Sequence, residues 1–215
     1  MSSEAEVTQN TTPKFETLRP ELIEQVKKLP KEDGIVLRFV DFDDTIAGSL
    51  HRFEICPDLA QNRGDLAIAL IAQKYWTSID PTGITQFVSL LDPKWHLLDG
   101  YADFYDPTDP HNIILTAGNT ELQTKKILAA GFNLDNSIIV PSAPKKMNAI
   151  LEKLIEIWYI PWEIHFYDDR ITDFDWADVL LSELLDIPVV FYEAIQDVEN
   201  QTVRVEQRVF DILQK

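Results

Sequence analysis

Five short apolar runs alternate with segments of helical period along this chain, and each run ends in acids or turn-forming residues. The runs are residues 35–40 (IVLRFV), 113–115 (IIL), 137–140 (SIIV), 164–167 (IHFY) and 187–192 (IPVVFY). They are apolar at nearly every position rather than at every second one, so both faces of each strand must be covered. Strands of that kind belong to a parallel sheet with helices packed on it. Pro188 has no amide hydrogen to give a ladder, which places the fifth run at a strand start or a sheet edge.

The intervening segments supply the helices. Leu18, Leu22, Ile23, Val26 and Leu29 recur at helical spacing before Pro30. Thr120 and Gln123 have the spacing of a capping box, with Gly131 as the stop. Pro144 suits the first position of a helix whose apolar face carries Met147, Ile150, Leu151, Leu154 and Ile155. Thr172 and Asp175 are placed to cap another, running through Trp176, Val179, Leu180 and Leu184. Strands alternating with helices predict an α/β fold with a doubly wound, Rossmann-like parallel sheet.

The rhythm breaks once. More than sixty residues separate Thr45 from His111, where a whole strand–helix–strand unit takes about 30. A small insertion or cap over about 46–111 is expected after the first strand, with helix candidates at 65–76 and 84–91. Its aromatic residues Trp95, Tyr101, Phe104 and Tyr105 suit either a mini-core or a pocket lining. Residues 1–13 are polar and aperiodic and read as a disordered tail, leaving 14–215 as one domain.

Charge narrows the function. Hydrophobic residues are 45% of the chain, which excludes global disorder, and the net charge is −17. A nucleic-acid reader needs a basic stripe to displace counterions, and none is visible. The single cysteine, Cys56, excludes a disulfide framework and a thiolate metal cluster. The N-terminus has no apolar signal core and no run approaches a membrane span, so a cytoplasmic protein without a membrane partner is expected.

Acids gather at the ends of the predicted strands. The first runs into Asp41-Phe42-Asp43-Asp44-Thr45, the second into Thr116-Ala117-Gly118-Asn119, and the fourth into Tyr167-Asp168-Asp169-Arg170. In a doubly wound sheet these ends meet at one edge, where the ligand crevice lies. Several carboxylates in one cleft repel one another unless a cation neutralises them. A set of carboxylates without Cys or His points to Mg²⁺ rather than Zn²⁺.

The order of these motifs resembles that of the haloacid dehalogenase-like phosphohydrolases. LRFVDFDDTIAGS is similar to their first motif, D-x-D-x-T after a hydrophobic strand. IILTAGN is similar to the second, APKKMNAIL to the lysine-bearing third, and IHFYDDR to the acidic fourth; together they span about 35–192. The resemblance implies a Mg²⁺-dependent phosphomonoester hydrolase acting through an aspartyl phosphate. It implies Asp41 as nucleophile and metal ligand, and Asp43 as general acid and base that also offers its backbone carbonyl to the metal. It implies Asp168 as the further direct ligand with Asp169 behind it, and Thr116, Ala117 and the motif lysine as phosphate holders. Asp43 in that role calls for a raised pKa, which crowding by Asp41, Asp44 and the fourth-motif acids supplies.

Lys145 and Lys146 both stand at the helix start; in the family this segment resembles, the motif lysine directly precedes an apolar helix residue, which favours Lys146 before Met147. Asp44 reads as a local backbone partner or a solvated acid. An ion pair with Asp173 is the simplest role for Arg170, and a core or supporting position for His165. His51, His96 and His111 have no metal-ligand spacing. Motif II lacks the basic residue many relatives carry, and only 30 residues separate Thr116 from Lys146, leaving no room there for a large lid. The substrate is a phosphorylated compound of open class. The YDDR ending resembles relatives linked to nucleic-acid end repair, against which the net charge argues. A catalytically silent scaffold on the same fold is the alternative of a different kind.

Overall fold

A computed structural model describes residues 15–48, 97–197, 200 and 202–208. Strand β1 (Val36–Val40) lies between β2 (Asn112–Ala117) and β4 (Glu163–Asp168). The six-stranded sheet has the order β3-β2-β1-β4-β5-β6, with β3 at Ser137–Val140, β5 at Val189–Asp197 and β6 at Thr202–Arg208. β1 to β5 are parallel, and β6 pairs antiparallel with β5. This is the strand order of a Rossmann-like doubly wound fold.

Strand alternation sends its apolar residues to two cores. Leu37, Phe39, Ile113, Leu115, Ile164, Phe166 and Phe191 face one side. There they meet α1 (Pro20–Val26), through Leu22 and Val26, and α3 (Lys146–Ile157), through Ile150, Leu151 and Leu154. Leu181 and Leu185 of α4 (Ala177–Leu185) complete that layer. Val40, Ile114, Tyr167 and Ala194 face the other side, packed with Ile127 of α2 (Thr120–Ala129) and the 97–105 segment. Burying each such aliphatic or aromatic side chain stabilises the fold by roughly 1.5–3 kcal/mol, and the register pairing Phe39 with both Ile113 and Phe166 brings the layers into line.

Tyr101 and Tyr105 pack edge-on to Phe132, with ring centroids 5.9 and 5.5 Å away, and Phe104 stacks on Tyr167 at 5.3 Å. These aromatics therefore form a mini-core. The expected helices at 65–76 and 84–91, the tail at 1–13, and Trp95, His51, His96 and Cys56 lie outside the described residues.

Several local expectations change. Gln123 is not half of a capping box: Thr120 is already helical, and the Gln123 amide turns inward to Asp43 and the Ala117 carbonyl. α4 begins five residues beyond Thr172, after a 3₁₀ turn at Ile171–Phe174. Its N-cap residue, Trp176, has φ 73° and makes no side-chain capping hydrogen bond. Its buried face is Ala177, Leu181 and Leu185, with Leu180 exposed. A short 3₁₀ turn holding Pro144 precedes α3, whose first residue is Lys146. Pro188 stands just before β5, a strand that β6 removes from the edge.

Candidate active site

The chain winds from β1 to one side through β2 and β3, then returns to β4 on the other side of β1. At that reversal the loops leave the carboxyl ends of β1 and β4 in opposite directions and open a crevice between them. Asp41 follows β1 directly, its backbone N–H donating to the Tyr167 carbonyl at 2.8 Å. Asp168 is the last residue of β4. Residues 127 positions apart in the chain thus stand side by side because their strands are neighbours. Asp41, Asp43, Asp44, Thr116, Ala117, Ala143, Lys146, Asp168, Asp169 and Arg170 line the crevice.

Asp41, Asp168 and Asp169 each offer a carboxylate oxygen within 4.8 Å of the others. Lys146 faces two of them. Its Nζ donates to Asp168 Oδ2 at 2.7 Å and is ion-paired with Asp41 Oδ1 at 2.8 Å. Asp41 Oδ1 is thus buried against the Lys146 ammonium with no other donor. The other Asp168 oxygen accepts the Arg170 backbone N–H at 2.8 Å. Lys146 is buried while Lys145 is exposed, so the residue preceding Met147 is the one that reaches the crevice.

The cluster is electrostatically loaded. Burial pushes the Asp41 carboxyl up to about 7; the Lys146 charge pulls it back, and the Asp168 charge adds to the rise. Asp169 is pushed up to about 8 by burial and then by the charges of Asp168, Asp41 and Asp44. Burial alone would lower Lys146, but Asp41 and Asp168 more than reverse this and hold it above an ordinary lysine. Burial is the first cause of both rises, and the cluster's own negative charges add to it against the pull of Lys146. A hard dication fits the set: all its ligand atoms are oxygens, they converge, and one is buried with no donor besides the Lys146 ammonium. Asp41, Asp168 and Asp169 are the side chains that would hold it.

Asp43 has partners that the sequence did not suggest. Its carboxylate is bracketed by a cation and an amide, and its charge is felt by Asp41. Lys126 Nζ is ion-paired with Oδ1, and Gln123 Nε2 donates to Oδ2 at 2.9 Å. Gln123 donates from the same nitrogen to the Ala117 carbonyl at 3.1 Å, tying Asp43 to the loop after β2. Gly118 in that loop has φ 144°, and a Cβ there would meet Gln123 Nε2 at 3.0 Å. Sequence reading missed Lys126, because a lysine in Gln-Thr-Lys-Lys-Ile-Leu looks like a solvated helix charge. The burial of Ile127 beside it, which turns this helix face inward, is visible only in the structure.

The remaining candidates separate cleanly. Thr116 is buried at the end of β2, against the crevice, whereas the Gly118 N–H is committed to the Val140 carbonyl at 2.8 Å. Arg170 lines the crevice but its Nε donates to Asp173 at 3.0 Å. Asp44 also lines it, at φ 61°, with its N–H on the Ala47 carbonyl. His165 lies away from the acids, its Nδ1 3.2 Å from the Tyr167 hydroxyl and its Nε2 3.1 Å from Glu163. His111 contacts Asp109.

Fold and crevice together define a Rossmann-like α/β protein with an acidic, cation-ready site at its topological switch point. No protein-family model matches the sequence, and no curated protein matches it. The chain is similar to a solved structure from Burkholderia xenovorans LB400, described as a haloacid dehalogenase-like hydrolase. The identity is 14% over 73% of this chain and 80% of that one, with a TM-score of 0.42. At that level the likeness assigns neither family nor activity, and function must be argued from the residues of the crevice.

Proposed function

We propose that this protein is a Mg²⁺-dependent phosphomonoester hydrolase that works through an aspartyl phosphate. One observation carries the reading. A buried carboxylate at the switch point, Asp41, stands within 3 Å of a buried lysine and shares a metal-sized acid cluster. A carboxylate attacks a phosphoryl dianion only when positive charge offsets the repulsion. Bound Mg²⁺ would supply most of that charge and would ionise the acids that hold it.

The chain's own residues then divide the work. Asp41 Oδ attacks phosphorus, and the bond from phosphorus to the leaving oxygen breaks. Asp43 gives that oxygen a proton, then takes one from the water that attacks the aspartyl phosphate. As the bond from phosphorus to Asp41 breaks, inorganic phosphate leaves and the carboxylate is restored. Thr116 and Ala117 offer donors to the phosphoryl oxygens from the end of β2, and Lys146 binds them from the start of α3.

The test is hydrolysis of p-nitrophenyl phosphate with Mg²⁺ and with EDTA. Activity is expected only with the dication. Asp41→Asn is expected to lower kcat by at least about 10³-fold, as loss of a nucleophile does. Turnover surviving either change overturns the reading. A folded protein inert on a wide panel of phosphate esters would favour a silent scaffold.

A further inference from the structure

Among the described residues two lysines are almost wholly buried, each 2% exposed: Lys146 and Lys126. The proposed chemistry uses the first and leaves the second without a task. Burying an ammonium group costs several kcal/mol even when it is paired, and an apolar side chain would fill the same helix position more favourably. Lys126 sits on the inward face of α2 next to Ile127, with its Nζ 5.8 Å from the Phe42 ring centroid. It is aimed at a single carboxylate, that of Asp43.

We infer that Lys126 and Gln123 are positioning residues that hold the Asp43 carboxylate for proton transfer. The inference rests on the phosphohydrolase reading. Each oxygen of Asp43 has a donor of its own, Lys126 on Oδ1 and Gln123 on Oδ2. Two donors on the two oxygens fix the rotation of the carboxyl group, where one would leave it free to swing. Both donors come from the same helix, one turn apart, so α2 acts as a rigid bracket. The second bond of Gln123, to the Ala117 carbonyl, links that bracket to the end of β2, where Thr116 and Ala117 line the crevice. The proton donor and the phosphate-holding end of β2 therefore keep a fixed relation to each other. The rotational order supplied in this way lowers the barrier to proton transfer without any contact between Lys126 and the substrate.

The experiment compares kcat/KM for an aryl phosphate and an alkyl phosphate in wild type, Lys126→Met and Gln123→Met. Up to departure of the leaving group, a poor alkoxide needs Asp43's proton far more than a stable aryloxide does. If the bracket positions Asp43, each variant loses about 10- to 100-fold on the alkyl ester and only a few-fold on the aryl ester. Lys126→Arg, which keeps a donor, recovers part of the loss. Equal losses on both esters, or a lowered Tm with unchanged rates, assign Lys126 a purely structural role and overturn the inference. Gln123→Met carries the test should Lys126→Met fail to fold. If the wild type hydrolyses neither ester, the parent reading fails first, and crystal structures of wild type and Gln123→Met decide the bracket. A displaced or disordered Asp43 carboxylate in the variant supports it, and one unmoved overturns it.

Discussion

Lys146 makes two ion pairs in the crevice, with Asp41 and with Asp168. It is buried between two carboxylates, and removing it would leave Asp41 and Asp168 facing each other with no cation between them. Losing one partner of a buried ion pair destabilises by about 3–5 kcal/mol. Lys146→Met is expected to lose stability on that scale at pH 8 and markedly less at pH 5.5. At the lower pH the Asp41 carboxyl, already pushed up to about 7, takes a proton and relieves the repulsion. Thermal unfolding at the two pH values checks this, and an equal loss at both would contradict it. Singly, each strand-end acid reads as a solvated turn or a cap; they were legible in sequence because they recur, with Thr116 and a lysine, at successive strand ends in one order. Lys146 was singled out from Lys145 only through the motif the segment resembles, in which the lysine directly precedes an apolar residue. Lys126 was not, because its significance lies in Asp43, 83 residues away, and only packing of α2 on the sheet brings the two together.

At the scale of elements, the buried strands were legible because both their faces are covered, which leaves continuous apolar runs. β6 was not, since Thr-Val-Arg-Val-Glu-Gln-Arg at a sheet edge alternates and is mostly polar. The late start of α4 was hidden too. A 3₁₀ turn uses the same residue types as a helix, and Trp176 at positive φ carries no sequence mark. β6 matters to the site's surroundings because it anchors the 97–105 segment. The Val203 N–H donates to the Asp99 carbonyl at 2.8 Å, and Gly100 at φ 95° passes so close that a Cβ would lie 2.5 Å from the Val203 carbonyl oxygen. Gly100→Ala is therefore expected to cost at least about 2 kcal/mol, from strained φ and forced separation of the two backbones together. Denaturant unfolding measures it, and a change below about 0.5 kcal/mol would show that the two segments separate freely.

Across the whole molecule the acids set how stability depends on pH. Asp41 and Asp169 have folded-state values of about 7 and about 8, both above the 3.8 of an unperturbed aspartate. Between pH 4 and 8 the unfolded chain has released these protons while the folded chain still binds them. Folding is therefore disfavoured progressively as pH rises through that window. Below pH 4 both states are protonated and the contribution is fully present; above pH 8 both are ionised and it is gone. The net charge of −17 adds self-repulsion in the same direction. A dication held by the ionised carboxylates reverses the local part, since its binding needs the deprotonated form. The Tm gained on adding Mg²⁺ at fixed ionic strength is expected to be small at pH 5 and larger at pH 8. Asp41→Asn removes one of the two elevated acids and part of the ligand set, so it should flatten the pH slope of the metal-free protein and shrink the gain at pH 8. An equal gain at both pH values, or one that Asp41→Asn leaves intact, would mean that Mg²⁺ acts on the surface charge at large and not at the crevice.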